Sequence, residues 1–155
     1  MIGNHFWTNK FMNKTILLVE DNQQDEILIL RNLKKVNLVN DIHIVRDGQQ
    51  ALDYIFSLNE YSSRNKLDLP IAILLDISLP RINGIEVLAK IRENPLTKLI
   101  PVIMLTSSDE ESDRLKCYKN GCNSFVRKPV DFAEFAAVIS NLGVYWLAVN
   151  IPPID

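Results

Sequence analysis

The chain has 155 residues, 47% apolar and 23% charged, a length and composition that suit one globular domain able to bury a full core. A formal net charge of −2 gives no footprint for nucleic acid or an anionic membrane surface. No apolar run reaches the roughly 18 residues needed to cross a bilayer, and the N-terminus lacks the order of a signal peptide, so the expected compartment is the cytoplasm.

Residues 1–13, MIGNHFWTNKFMN, show no sustained period and read as an N-terminal extension in which Met12 offers an alternative start. Residues 15–19 are an apolar run that stops at Glu20 and Asp21, the pattern of a buried strand ending in acids. DNQQDEILILRNLKKV then predicts a helix with Asn22 as N-cap and Asp25 and Glu26 in its first turn, where the helix dipole favours acids. Ile27, Leu30, Leu33 or Lys34, and Val36 or Asn37 mark its expected buried face. Residues 41–46, DIHIVR, alternate as a second strand with Ile42, Ile44 and Val45 inward and His43 partly exposed. Asp47 and Gly48 turn the chain into a helix whose Ala51, Leu52, Ile55 and Phe56 face in. Residues 59–69 are polar and aperiodic, a loop longer than the usual connection of about 2–6 residues.

The third strand is the one around which the chain is organised. Residues 71–75 form a continuous apolar run, the mark of a strand buried on both faces, and the run ends abruptly at Asp76. Pro80, Asn83 and Gly84 are turn residues, after which Ile85, Leu88, Ala89 and Ile91 or Arg92 fall at helical spacing. Residues 100–105 are the fourth strand, stopping at Thr106. In SSDEESDRLKCYKNGC a helix is predicted with Ser108 as N-cap, Glu111 completing a capping box and Gly121 as the stop. Cys117 and Cys122 read as buried, reduced thiols, because the chain supplies neither a zinc ligand set nor a disulfide framework. Residues 123–127 are a short fifth strand ending at Lys128 and Pro129. A last helix is expected from about residue 131 to 149, before Pro152 and Pro153.

Five strand-helix pairs in strict alternation imply an α/β fold, a doubly wound five-stranded parallel sheet with helices on both faces, (βα)5 and flavodoxin-like. No repeat or low-complexity linker divides it, so residues 14–149 form one domain and 150–155 a tail. In such a sheet all strand ends point one way. One edge thereby collects Glu20, Asp21, Asp76, Thr106 and Lys128. Three carboxylates within a few ångströms oppose one another's ionisation, so the cluster requires a cation. Oxygen ligands without His or Cys suit a hard ion, and Mg²⁺ is favoured because it binds through one or two carboxylates while keeping several waters. Aspartate is also a nucleophile in phosphoryl transfer, and Mg²⁺, Lys128 and either the Thr106 hydroxyl or a backbone N–H could each neutralise one equatorial oxygen of a phosphoryl group arriving on Asp76.

ILLVEDN, LLDISLPRING, VIMLTSSDEESD and FVRKPVDF, in that order, resemble the receiver domain of two-component response regulators, the CheY-like family, over residues 14 to about 142. The resemblance implies that Asp76 is the phosphoacceptor, that Glu20 and Asp21 hold Mg²⁺ together with Asp76 and the backbone carbonyl of Ser78, and that Thr106 is the switch hydroxyl. It implies further that Lys128 contacts the phosphoryl group, that Phe125 is the aromatic switch, and that Ser78 and Ser108 sit where loss of the phosphoryl group is tuned. A cis peptide between Lys128 and Pro129 is expected on the same ground. More narrowly, the long loop at 59–69 and the GVYWL segment resemble the stand-alone receivers that pair with phytochrome kinases in cyanobacteria. That implies a histidine kinase, a phytochrome in particular, as partner.

After Val149 too few residues remain for a DNA-binding module, so the expected output is the domain's own surface. Val144, Tyr145, Trp146, Leu147 and Val149 are apolar nearly all round the helix, and apolar area beyond what one domain buries marks an interface. A homodimer through this segment and the neighbourhood of Phe125 is expected, as the resemblance to the phytochrome-associated receivers implies, with folding back onto its own domain as the alternative. Two other functions compete. One is a receiver-shaped interaction module that is never phosphorylated. The other is an enzyme, but Glu20 and Asp21 would repel a flavin phosphate after the first strand, and Ser78 stands where an aspartyl phosphatase carries its second acid.

Overall fold

The structure, a computed structural model, describes residues 15–37 and 41–153; the predicted extension at 1–13 lies outside the described residues. Five parallel strands form one sheet: β1 (Thr15–Val19), β2 (Asp41–Val45), β3 (Ala72–Leu75), β4 (Val102–Thr106) and β5 (Ser124–Arg127). Their order is β2-β1-β3-β4-β5, with every neighbouring pair parallel. The chain therefore leaves β1 in one direction and returns through β3 in the other. The crevice at that reversal, above the carboxyl ends of β1 and β3, is where open α/β sheets bind ligands.

The helices are α1 (Gln23–Lys35), α2 (Gly48–Phe56), α3 (Gly84–Glu93), α4 (Glu111–Lys119) and α5 (Phe132–Val144), with a 3₁₀ turn at Asn59–Tyr61 inside the long loop. Because side chains alternate across a strand, each apolar strand feeds two cores. Leu17, Val19, Ile73, Leu75 and Met104 meet α2, α3 and α4 on one face, while Ile16, Leu18, Leu74, Ile103 and Leu105 meet α1 and α5 on the other. Of the expected buried face of α1, Leu33 is buried and Leu30 and Val36 are half-buried, but Ile27 is exposed and Ile29 joins Leu33 in the core instead. Glu26 is the buried acid at its start, where it pairs with Arg46 at 2.9 Å, and an ion pair there shifts the inward stripe from what hydrophobicity alone suggests.

Two helix ends also depart from expectation. Ser108 does not cap α4: the helix begins at Glu111 behind Glu110, and the Ser108 hydroxyl instead donates to Asp113 while accepting from the Glu110 N–H. The run of acids after Ser108 lets its side chain bond past the cap position. At the other end α5 tightens no further but widens, running into a π-helical turn at Tyr145–Val149 closed by the Asn150 N–H on the Tyr145 carbonyl. The widening brings Leu147 back onto the sheet, 2% exposed, with Trp146 packed against the same core. Leu147 is therefore not the interface residue the sequence suggested, and half of the apolar segment folds onto its own domain. The continuous stretch Phe132–Val149 is long and apolar enough to cross a bilayer by length and composition, contrary to the reading of the sequence run by run. Phe135, Ile139 and Leu147 commit its inner face to the sheet.

Candidate functional site

The site is assembled by extending three strands by one or two residues beyond their apolar runs. The Glu20 N–H continues the β1 ladder onto the Val45 carbonyl (3.1 Å), and the Asp76 N–H continues β3 onto the Val19 carbonyl (3.2 Å). The Lys128 N–H does the same from β5 to the Thr106 carbonyl (2.7 Å). Backbone pairing thus fixes where each charged side chain starts. Asp21, one residue further, is exposed.

Around these, the loop after β3 is pinned at close quarters. The Gly84 N–H donates to the Ile77 carbonyl, and a Cβ on Gly84 would lie 1.9 Å from the Asp76 carbonyl oxygen, so only glycine lets α3 start against the backbone of the acid. The Ser78 N–H donates to Asp76 Oδ1 at 3.3 Å, leaving Oδ2 for Lys128 Nζ at 2.9 Å. Asp76 and Lys128 are both buried.

Lys128 Nζ uses its N–H groups on three carboxylates: Asp76, Glu20 in a short contact, and Asp25 Oδ2 at 2.9 Å. Burial would lower the lysine's affinity for its proton, but the charges of Asp76 and Glu20 and their hydrogen bonds outweigh it and hold the ammonium well above its ordinary range. Glu20 is pushed up to about 8, first by burial and then by its hydrogen bond and repulsion with Asp76, with Lys128 opposing. One cation does not satisfy all these acids. Buried Glu20 Oε2 has no hydrogen-bond partner among the described residues, and one oxygen each of Glu20, Asp21 and Asp76 lie within 4.8 Å of one another. An all-oxygen set with an unfilled buried lone pair fits a hard divalent ion, whose charge would favour the ionised form of Glu20.

Thr106 is fully buried at the end of β4, and its Oγ1 accepts from the Ser108 N–H at 3.3 Å. A hydroxyl that accepts one bond still has its proton to donate. Phe125 lies in register with Met104 on β5, part-buried against the α2–α4 core, while Ser78 is exposed and Ser108 half-buried. Among the described residues no peptide bond is cis, so the expected cis form between Lys128 and Pro129 is not adopted. Glu20, Asp21, Asp76 and Lys128 are brought together as the sequence suggested. Asp25 was missed: its place in the first turn of α1 was credited to the helix dipole, and only the fold turns its carboxylate onto a lysine 103 residues away. The Asn22 side chain accepts from the Asp25 N–H (3.0 Å) and fixes that turn, but this spacing marks only a helix start and does not point to Lys128.

The model of the response regulator receiver domain matches residues 16–140. Among curated proteins, the chain is 38% identical over 138 residues to a probable methanogenesis regulatory protein, FilR2, of Methanothrix harundinacea, covering 89% of this chain and 86% of that one. It is 35% identical over 140 residues to the response regulator Rcp1 of Synechocystis, covering 90% and 93%. The Mn²⁺-bound form of Rcp1 superposes with a TM-score of 0.85 at 34% identity, over 90% of this chain and 99% of that one. The phosphorylated cyanobacterial phytochrome response regulator RcpA gives the same score and identity over 90% and 98%.

Proposed function

Since the chain belongs to the response regulator receiver family, we propose that it accepts a phosphoryl group from a histidine kinase onto Asp76, and that this charge resets the surface of the α4–β5–α5 face. The observation that carries the reading is the buried Asp76 carboxylate with one oxygen on Lys128 and the other on a backbone N–H. In the transfer, an Asp76 oxygen attacks phosphorus while the P–N bond of the phosphohistidine breaks, its electron pair returning to the imidazole nitrogen. Lys128 then donates to one equatorial oxygen and Thr106 to another, stabilising charge where it develops. Glu20, Asp21 and Asp76, with the Ser78 carbonyl, would hold Mg²⁺, which supplies positive charge to the phosphoryl oxygens when bound. Hydrolysis reverses the state: water attacks phosphorus, the bond to Asp76 breaks with its electron pair returning to the carboxylate, and the released phosphate keeps the water's oxygen and one proton while the other passes to solvent. Ser78 and Ser108 flank that water's approach and tune its rate.

Thr106 moving to the phosphoryl group opens space for Phe125 to turn inward, coupling one charged ligand to a two-state face. A phytochrome is the kinase this reading favours, supported by the likeness to Rcp1 and RcpA, and on this reading the exchange takes place in the cytoplasm. We read residues 14–149 as the functional unit and the outward residues Val144, Tyr145 and Val149 as a homodimer surface, supported by their exposure on a helix whose other face is already used. Sedimentation of Tyr145→Lys/Val149→Lys tests the dimer, and an unchanged mass would reject it.

Incubation with acetyl phosphate and Mg²⁺ followed by intact mass tests the acceptor. The expected result is a gain of one phosphoryl group that is absent in Asp76→Asn. A gain that persists in the variant would discard Asp76, and no gain in either would favour the idle interaction module.

A further inference from the structure

We infer that Asp25 is a positioning residue for phosphoryl transfer, an anchor that keeps the Lys128 ammonium over Asp76 while the other two carboxylates that hold it are drawn into the reaction. The inference rests on the phosphoacceptor reading given above. An ammonium has three N–H donors, and all three are placed: on Glu20, on Asp76 and on Asp25. These anchors have different fates. Asp76 becomes an acyl phosphate and surrenders its carboxylate charge. Glu20 belongs to the set of three oxygens close enough to share a cation, along with Asp21 and Asp76. Asp25 is in neither group.

Its position is also independent of that chemistry. Asp25 sits on the first turn of α1, held from outside by the Asn22 side chain on its backbone N–H, with the Glu26 N–H on the Asn22 carbonyl at 2.9 Å. The carboxylate approaches Lys128 from the solvent side, its side chain 27% exposed against 6% for the lysine. When Asp76 is phosphorylated, Lys128 turns one N–H to a phosphoryl oxygen and keeps another on Asp25. A long, flexible side chain is thereby fixed at one end by packing and at the other by a charge outside the reacting set, which is what pre-organised electrostatic stabilisation requires.

The test follows phosphoryl uptake from acetyl phosphate by intact mass, at saturating Mg²⁺, in wild type, Asp25→Asn, Asp25→Glu and Asp76→Asn, with Mn²⁺ affinity measured on each. Asp25→Asn keeps the shape but loses the charge, so uptake is expected to slow about tenfold while Mn²⁺ affinity stays within about threefold, and Asp25→Glu, which can still reach Lys128, recovers most of the rate. A merely structural role would not divide rate from metal affinity in this way. Uptake by Asp25→Asn within about twofold of wild type overturns the inference, as does Mn²⁺ affinity that falls in step with the rate, which would make Asp25 a ligand. Undiminished uptake by Asp76→Asn would overturn the acceptor and the inference together, whereas an inert Asp76→Asn beside a fast Asp25→Asn overturns the inference alone.

Discussion

Two long cationic side chains tie the β5 end of the sheet to the rest of the molecule, and they are solvated in opposite ways. Arg92, on α3, donates to four neutral oxygens: the carbonyls of Gly121, Lys98 and Ile100 and the side chain of Asn123, at 2.8–3.1 Å. Asn123 Oδ1 in turn accepts from the Val102 N–H, so the arginine fixes the start of β4 and β5 at once. Lys128, at the far end of β5, donates only to carboxylates. Dipoles leave Arg92 as a fixed staple with nothing to exchange, and its guanidinium keeps its charge although burial lowers its hold on the proton. Carboxylates outnumber the ammonium at Lys128, which leaves uncompensated negative charge and a place for further cations. Structural and chemical cations differ here by their counter-groups, neutral dipoles around half-buried Arg92 and carboxylates around buried Lys128.

The sharpest way to break this contrast is to remove each cation in turn. Lys128→Met should slow phosphoryl uptake at least about a hundredfold by intact mass, because a transition-state charge loses its partner. It should also destabilise the metal-free protein by about 3 kcal/mol, since three acids lose their common counter-ion. Divalent affinity should rise, one positive charge having left the site, and added Mg²⁺ should recover much of the stability. Lower Mn²⁺ affinity in this variant would reverse the electrostatic argument. Arg92→Met should behave conversely: stability falls by about 3 kcal/mol in urea unfolding, as several carbonyls lose a charged donor, while uptake by the folded fraction is unchanged within about twofold.

The same contrast explains what could be read from the sequence. Glu20, Asp21, Asp76 and Lys128 were legible because each ends an apolar run, and in a parallel sheet the ends of runs share one edge; the fold and the cluster follow from the same pattern. Asp25 was not legible, because it lies on a helix whose relation to β5 depends on how α1 packs beside α5. Arg92 is a helix residue among helix residues in the sequence, and nothing in the spacing announces that it reaches carbonyls on two loops. Leu147 turned inward because a π-helical turn shifts the register of the last residues, a change of hydrogen bonding that an apolar pattern cannot encode.

A smaller perturbation moves neither cation but shifts the acid that Lys128 holds. Gly84→Ala places a methyl group against the Asp76 carbonyl and the Ile77 backbone, groups that cannot rotate away. Overpacking of this kind should cost about 2 kcal/mol and reduce phosphoryl uptake, because the carboxylate moves with its backbone. Full activity in a destabilised Gly84→Ala would mean that the site tolerates displacement of its nucleophile, and the close approach of α3 would then matter for folding alone.

The smallest expected effect concerns another base, half-buried, which should give up its charge. His43 stacks on Tyr54 with ring centroids 4.1 Å apart, and its Nε2 lies 3.1 Å from the Tyr61 hydroxyl, while the Arg64 guanidinium covers the other side of Tyr54 at 3.7 Å. Burial lowers the affinity of His43 for a proton; Arg64 adds to that, and Asp41 and Glu60 oppose without reversing it. The unfolded chain therefore binds the proton more readily than the folded one, so this group's contribution is intact above about pH 6.5 and is lost as pH falls through the lower folded value. His43→Phe keeps an aromatic face for Tyr54 and removes the titration. Urea unfolding of both proteins at neutral pH and at mildly acidic pH should show the wild type losing more stability than the variant on acidification. Equal losses would place a compensating acid at this imidazole, making His43 a smaller version of Lys128.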